Sequence, residues 1–271
     1  MAYITIRGAR LYFEQTGTGP ETILFLHGLM LASESWEAQR DHFARTHRVI
    51  TYDLRGQGRS DHPKVGLGLD SLAGDTAELL GCLAPEGAHV VGFSMGSFIA
   101  LRLAARHPAL VRSLTLIGVS ADAENWRKMP AYAAMIALVS LAGTGPVAPR
   151  MMQILFGRSI LSDPARAPLI AKWRAVVDTL PKSIVRAAAA SAMRGSVLGE
   201  IGGITAPTLI IAGEEDQPVP LHHQQNVAAA IAGAEIDVVP ATGHAVMIER
   251  PDWFNMRMAR FLETVSEATE G

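Results

Sequence analysis

The pentapeptide Gly92-Phe93-Ser94-Met95-Gly96 lies between two runs of different character. Residues 89–91 before it form a short, apolar, β-branched run, which predicts a buried strand. Residues 97–105 after it are rich in Ala and Leu and are followed by Pro108, which predicts a helix and its end. A serine on so tight a strand-to-helix turn takes strained backbone angles, and its neighbours two positions away come very close, which favours glycine there. The pattern therefore predicts a nucleophile elbow that raises the Ser94 hydroxyl above the sheet. An ordinary glycine-rich turn is the alternative.

Predicted strands and helices alternate along most of the chain, which predicts an α/β fold with a mainly parallel sheet and helices on both faces. An N-terminal hairpin is expected at residues 3–14, followed by strands at residues 22–26, 48–52, 89–91, 113–117, 208–212 and 235–239. Residues 122–196 interrupt this alternation with a mostly helical pattern, so we expect an inserted helical cap there. The predicted domains are an α/β core at residues 1–121 and 197–271 and a cap at residues 122–196.

The composition is typical of a soluble globular enzyme, because 49% of the 271 residues are hydrophobic, 18% are charged and the net charge is only -2. Neither nucleic acid nor a membrane is expected as a partner. The N-terminus lacks the apolar core of a signal peptide, so a cytoplasmic protein is expected. Residues 129–149 contain no charged residue, but their apolar run is too short to span a bilayer, and we expect a buried or pocket-lining helix. Cys82, the only cysteine, is expected to be buried in a helix.

A reactive serine requires a base and a third group that orients the base. His244 follows the last predicted strand and comes directly after a glycine, which permits a tight loop over the sheet edge, so it is the predicted base. Asp216 follows the strand at residues 208–212 and is the predicted acid. Three alternatives for the acid remain open: Glu214, Glu215 and Asp122.

The negative oxygen of a tetrahedral intermediate needs two preorganised donors. The predicted donors are the backbone N–H groups of Met95, directly after the serine, and Leu29, in the loop after residues 22–26. No His or Cys pattern suggests a metal site, so neither a metal nor another cofactor is expected. Apolar side chains suited to an acyl group supply the predicted substrate-binding residues: Met30, Trp126, Met135, Leu138, Met152, Phe156, Trp173, Val219 and Ala245.

The chain order Ser94, Asp216, His244 resembles that of the α/β-hydrolase superfamily, and the likeness covers essentially the whole chain. The loop His27-Gly28-Leu29 and the segments at residues 53–60 and 213–216 are similar to those of its small capped bacterial members. These members include carboxylesterases, 3-oxoadipate enol-lactonases and cofactor-free haloperoxidase-like esterases. The resemblance implies an α/β-hydrolase fold with a helical cap and no cofactor, although Phe93 stands where many members carry histidine.

These observations predict a carboxylic-ester hydrolase that acts on a small-molecule ester or lactone through an acyl-enzyme. The alternatives are a lactonase or a C–C bond hydrolase on the same fold, and a ligand-binding receptor, against which the intact set of three residues argues. A serine nucleophile disfavours haloalkane dehalogenases and epoxide hydrolases, which use an aspartate. Residues 122–196 carry ten basic and four acidic residues, a net +6, so the cap is expected either to attract anionic substrates or to present solvated cations. The sequence does not predict the oligomeric state.

Overall fold

A computed structural model of the protein describes residues 2–270, so Met1 and Gly271, the outer ends of the predicted core segments, lie outside the described residues. Eight strands form one sheet in the order β1-β2-β4-β3-β5-β6-β7-β8. Their bounds are β1 Ala2–Ile6, β2 Ala9–Thr16, β3 Thr22–Leu26, β4 Arg48–Tyr52, β5 Ala88–Phe93, β6 Val111–Ile117, β7 Thr208–Gly213 and β8 Glu235–Val239. The pairs β1–β2 and β2–β4 are antiparallel and all the other pairs are parallel. The predicted α/β fold with a mainly parallel sheet is confirmed.

Twelve helices occur within residues 2–270. They are α1 Glu37–Phe43, α2 Leu69–Leu83, α3 Met95–Arg106, α4 Met129–Ala142, α5 Ala148–Leu155, α6 Arg158–Leu161, α7 Ala167–Asp178, α8 Ile184–Ala192, α9 Leu198–Ile201, α10 Leu221–Ala230, α11 Val246–Glu249 and α12 Pro251–Glu270. Helices α4–α8, which we call the cap, lie between β6 and β7 along the chain. The boundaries of the cap as a domain, residues 122 and 196, stay a prediction.

The alternation of side chains along the strands divides the apolar residues between two cores. On β3, Leu24 and Leu26 belong to a core that also contains α2, α3 and α10. Ile23 and Phe25 point the other way, into a core with α1, α12 and several cap helices. Because helices cover both faces of the sheet, β3 is buried and apolar at nearly every position, which made it recognisable in the sequence.

Two expectations about helices have different outcomes. Only Val139 of the 14 residues of α4 is buried, but Tyr132, Met135 and Ile136 line a cavity, so α4 is the pocket-lining helix rather than the buried one of the two alternatives. Within residues 2–270, no helix is both long enough and apolar enough to cross a bilayer. Cys82, expected to be buried, is instead exposed, because α2 turns the opposite face, with Leu72 and Leu80, toward the core.

Two glycines let α3 pack directly against the strands at the turn around Ser94. A Cβ atom on Gly96 would overlap the carbonyl oxygen of Leu26 at the end of β3 and would lie 2.8 Å from that of His27. A Cβ atom on Gly92 would lie 2.6 Å from the Gly96 carbonyl oxygen. These neighbours are backbone atoms that cannot rotate away, so both positions require glycine.

Replacement of Gly96 tests this packing. We expect Gly96→Ala to lower the free energy of unfolding by about 1–3 kcal/mol, because the added methyl group forces α3 away from β3. Chemical denaturation measures the change. Gly81→Ala is the matched control: Gly81 lies in α2, its Cβ would meet no atom within 4 Å, and alanine there should raise stability by roughly 0.5–1 kcal/mol. Equal effects of the two substitutions would contradict the close approach at Gly96.

Candidate active site

The candidate nucleophile Ser94 lies between β5 and α3 with φ 51° and ψ -115°. A residue other than glycine at such angles costs about 1–3 kcal/mol and persists only where the surroundings enforce it. Here the Ser94 N–H donates to the Ile117 carbonyl over 2.8 Å. The Ser97 hydroxyl also donates to the carbonyl oxygens of Gly92 (2.6 Å) and Ile117 (2.8 Å). The end of β6 therefore holds the strained turn in place.

His244 and Asp216 form a buried pair. His244 Nδ1 lies 2.8 Å from Asp216 Oδ2, and because a carboxylate only accepts, Nδ1 carries the donated proton. The other ring nitrogen, Nε2, then has a free lone pair and can take a proton from a nucleophile. Asp216 is itself held by the Val219 N–H (2.9 Å) and by the Gln224 side-chain amide (3.3 Å). This arrangement fixes the tautomer and direction of the imidazole, as a catalytic base requires.

The rings and backbone around His244 restrict its position. The Phe93 ring, directly before Ser94, packs 4.8 Å from the imidazole centroid. Gly118 lies against the Nδ1 edge of the imidazole, since a Cβ atom on Gly118 would be 2.7 Å from His244 Nδ1. Ser94 and His244 line one cavity, although among residues 2–270 no hydrogen bond joins the two side chains. Proton transfer between the two side chains would require them to come within hydrogen-bond distance.

The three alternative acids have other partners. Glu215 accepts hydrogen bonds from the N–H and hydroxyl groups of Ser159 (2.9 and 2.6 Å). Glu214 accepts from the Ala241 N–H over 3.0 Å, and Asp122 pairs with His223 Nδ1 over 2.6 Å. Within the described part of the chain, only Asp216 contacts the ring nitrogens of His244.

The two predicted oxyanion donors are both unused. The N–H of Met95 begins α3 and so has no intrahelical acceptor. The N–H of Leu29 lies in the turn closed by the Leu31 N–H and the Gly28 carbonyl (3.3 Å). Among residues 2–270 neither amide has a hydrogen-bond acceptor, and both residues line the cavity with Ser94. Two free amides beside a serine can bind a developing oxyanion.

A buried histidine fixes the loop that carries Leu29. His27 Nε2 accepts from the Leu54 N–H over 2.9 Å, which leaves Nδ1 to donate to the Gly28 carbonyl over 2.8 Å. Burial lowers the pKa of His27, so the ring stays neutral in this role. The Met30 N–H donates to the buried Gln57 side chain over 2.8 Å. His27 and Gln57 thus hold the loop from both sides; the sequence pointed to His27 but gave no signal for Gln57.

The cavity has a volume of about 190 Å³ and is lined mainly by apolar side chains from the cap and from the loops around Ser94. Met30, Met135 and Val219 line it together with Ser94 and His244. A cavity of this size is small for a ligand site. It therefore suits a small acyl group.

The other six predicted substrate-binding residues lie elsewhere, in contrast to the expectation. Trp126 and Leu138 are 74% and 43% exposed, because the turn of α4 directs Tyr132 and Met135 to the cavity and Leu138 away from it. The remaining four are packed in the core that faces α12, where they support the cap and the loop of His244: Met152, Phe156, Trp173 and Ala245.

Several cavity residues were missed by sequence reasoning. Phe98 follows Ser94 by four residues, one turn of α3, and that spacing could have identified it. Glu124, Tyr132 and Arg194 also line the cavity. Glu124 and Arg194 are 70 residues apart along the chain, so no local pattern signals their pairing. Within residues 2–270, no group of three or more His, Cys, Asp or Glu side chains is arranged to bind a metal ion.

A buried carboxyl group joins the cap to the loop of His244. Glu249, 1% exposed, accepts hydrogen bonds from the N–H of Gly243 (3.0 Å) and, at the turn between α5 and α6, from that of Gly157 (3.2 Å). The Ala245 N–H also donates to the Leu155 carbonyl over 2.9 Å. Burial raises the pKa of Glu249 to about 7, with a smaller contribution from the charge of Glu215, and outweighs the two amide donors.

Comparison with known proteins adds four findings. A family model described as the Alpha/beta hydrolase family matches residues 23–257. A thermophilic esterase from Thermogutta terrifontis has a similar structure, with a TM-score of 0.89, 27% identity and coverage of 97% of this chain and 98% of that chain. An enol-lactonase from Burkholderia xenovorans LB400 gives a TM-score of 0.87 at 25% identity, with 97% and 100% covered. A putative carbamate hydrolase from Agrobacterium fabrum is 29% identical over 93% of this chain and 98% of its own length. The resemblance to capped esterases and enol-lactonases is confirmed.

The raised pKa of Glu249 predicts a pH-dependent stability. Between the ordinary value of 4.5 and about 7, the folded protein keeps a proton that the unfolded chain has lost. The contribution of Glu249 to the free energy of unfolding, measured as the difference between wild type and Glu249→Gln, should therefore be fully present below pH 4.5 and fall by up to about 3 kcal/mol as the pH rises through 7. Urea denaturation across this range measures the difference.

Glu78→Gln, at an exposed position of α2, is the control and should leave the profile of the wild type unchanged. Parallel profiles for wild type and Glu249→Gln would contradict the shifted pKa.

Proposed function

This chain belongs to the alpha/beta hydrolase family, and on that premise we propose that it is a serine hydrolase that cleaves small carboxylic esters through an acyl-enzyme. The observation that carries the proposal is the buried hydrogen bond from His244 Nδ1 to Asp216. It leaves Nε2 available as a base in the cavity that also holds the Ser94 hydroxyl. A receptor that only binds its ligand has no need of such a base beside a strained serine.

In the proposed acylation step, Ser94 Oγ attacks the ester carbonyl carbon while His244 Nε2 takes the hydroxyl proton. The carbonyl oxygen becomes an oxyanion and accepts hydrogen bonds from the free N–H groups of Leu29 and Met95. Asp216 stabilises the imidazolium that forms. When the intermediate collapses, the C–O bond to the alcohol breaks and His244 returns its proton to the leaving oxygen.

In the proposed deacylation step, the same groups act on water. His244 Nε2 takes a proton from a water molecule, whose oxygen attacks the acyl carbon. The second oxyanion occupies the same two amides, and its collapse breaks the bond to Ser94 Oγ, which regains a proton from His244. The products are a carboxylic acid and an alcohol, so the cycle needs neither metal nor organic cofactor.

The cavity favours substrates with a small apolar acyl group, because its volume is about 190 Å³ and its wall is largely Met, Leu, Ile and Phe. A lactone is a cyclic ester and reacts by the same steps. The structural likeness to an enol-lactonase makes lactone hydrolysis the second candidate. Turnover of lactones and open-chain esters of equal carbon number separates the two.

The role of Ser94 is tested by its replacement. Ser94→Ala should reduce kcat/KM for a small aryl ester by about a thousandfold or more, because no other group in the proposal supplies the nucleophile. Steady-state kinetics with matched circular dichroism spectra measures the loss. Ser140→Ala on the exposed side of α4 is the control and should retain wild-type kinetics. A correctly folded Ser94→Ala that keeps a tenth of the wild-type rate would exclude Ser94 as the nucleophile.

The role of Asp216 is tested against its neighbour. Asp216→Asn should lower kcat by about a thousandfold, because an amide there favours the imidazole tautomer with its proton on the wrong nitrogen. Glu214→Gln alters the same loop without touching His244, and its kcat should stay within about threefold of wild type. Comparable losses in the two variants would move the orienting acid away from Asp216.

A further inference from the structure

An ion pair forms part of the cavity wall. Arg194 Nη1 donates to Glu124 Oε2 over 2.7 Å, and each side chain is only 11% exposed. The pair joins the segment before α4 to the end of α8, and both residues line the cavity that contains Ser94. Buried charges of this kind need every donor and acceptor to be satisfied.

The carboxylate of this pair already accepts three hydrogen bonds. Glu124 Oε1 accepts from the Asn125 N–H over 3.0 Å and lies 3.8 Å from Lys128 Nζ. Its Oε2 accepts from the Tyr132 hydroxyl over 3.2 Å in addition to Arg194. Burial tends to raise the pKa of Glu124, but the charge and hydrogen bond of Arg194 outweigh it and keep the pKa low. Glu124 therefore stays ionised, and both lone pairs of its Oε2 are taken by Tyr132 and Arg194.

The guanidinium, in contrast, has unused donors. Besides Glu124, Arg194 Nη1 reaches only the Ser191 carbonyl oxygen, over 3.4 Å. Its Nε is buried and has no hydrogen-bond partner, and Nη2 likewise has no acceptor within residues 2–270. A buried N–H without an acceptor is costly and uncommon in a folded protein. The polar end of the cavity therefore offers hydrogen-bond donors that no group of the described chain uses.

A ring contact connects this donor to the helix that follows the candidate nucleophile. The guanidinium carbon of Arg194 is 4.7 Å from the centroid of the Phe98 ring. Phe98 lines the cavity one helical turn after Ser94, and its N–H donates to the Ser94 carbonyl over 3.1 Å. Of the ten basic residues between positions 122 and 196, Arg194 alone lines this cavity. The excess positive charge of the cap therefore lies outside the cavity. Inside the cavity, the charge of Arg194 is already balanced by Glu124.

We propose that Arg194 binds a neutral carbonyl oxygen of the substrate, so that the preferred substrates are small keto esters or keto lactones whose second carbonyl is separated from the scissile one by a short methylene chain. The inference rests on the proposed function of Ser94. The second carbonyl would accept from the unused Arg194 Nη2, because Nε is buried, while the alkyl part fills the apolar wall. A carboxylate at the same place would gain less, because the charge of the guanidinium is already compensated by Glu124.

Three ethyl esters of nearly equal shape test the proposal: levulinate, with a second ketone, valerate, with a methylene at that place, and monosuccinate, with a carboxylate. Binding to Ser94→Ala, measured by NMR titration, does not depend on turnover. We expect ethyl levulinate to bind about tenfold more tightly than ethyl valerate and at least as tightly as monoethyl succinate. In wild-type enzyme the kcat/KM ratio of levulinate to valerate should show the same preference.

The levulinate preference should disappear in Ser94→Ala/Arg194→Met. The Arg194→Met substitution leaves the carboxylate of Glu124 buried without its partner. A triple variant, Ser94→Ala/Arg194→Met/Glu124→Gln, removes both charges and should lose the levulinate preference to the same extent. Arg150→Met is the matched control, since Arg150 is an exposed cap arginine outside the cavity, and it should keep the preference.

Equal binding of levulinate and valerate, a preference that survives the loss of Arg194, or tighter binding of the monosuccinate would each overturn the proposal. Absence of ester turnover by wild-type enzyme would contradict the proposed function, while the titrations still decide the role of Arg194.

Discussion

The structure depends on the close approach of α3 to the ends of β3 and β5. Gly92 and Gly96 remove the two Cβ atoms that would prevent this approach, and Ser94 between them is held at a positive φ. The same turn places Met95 at the start of α3, where its N–H has no intrahelical acceptor, in the wall of the cavity that Ser94 also lines. The neighbouring loop, fixed by His27 and Gln57, brings the N–H of Leu29 to the same cavity. Backbone packing thus creates both the position of the proposed nucleophile and the proposed oxyanion site.

His244, the proposed base, is positioned by a different set of contacts, which connect the sheet to the cap. Gly243 and Gly157 approach so closely that a Cβ on Gly243 would lie 2.6 Å from the Phe156 carbonyl carbon. Glu249 accepts from both glycine amides, so the loop of His244 and the turn between α5 and α6 share one buried carboxyl group. A displacement of the cap would therefore be transmitted to His244 as well as to the cavity wall. The Arg194–Glu124 pair adds a second, polar connection within the cap.

Sequence reasoning identified what depends on local patterns. The buried strands are continuous apolar runs, the elbow has its two glycines, and each proposed catalytic residue follows a strand of a parallel sheet, so these features could be read directly. The lining of the cavity could not, because it depends on how the cap helices turn. Leu138 faces solvent although its neighbour Met135 faces the cavity. Glu124 with Arg194 and Glu249 with Gly157 are contacts between distant segments, for which a single sequence holds no periodic signal.

The central claim, that Ser94 becomes acylated during ester hydrolysis, is tested most directly by trapping the intermediate. The protein is mixed with an activated aryl acetate, quenched in acid during steady turnover, digested and analysed by mass spectrometry. The account predicts one acetyl group per chain, on the peptide that contains Ser94, and no acetyl group in Ser94→Ala treated in the same way. Turnover of the ester with no trapped acetyl group, or with the acetyl group on another residue, would contradict it.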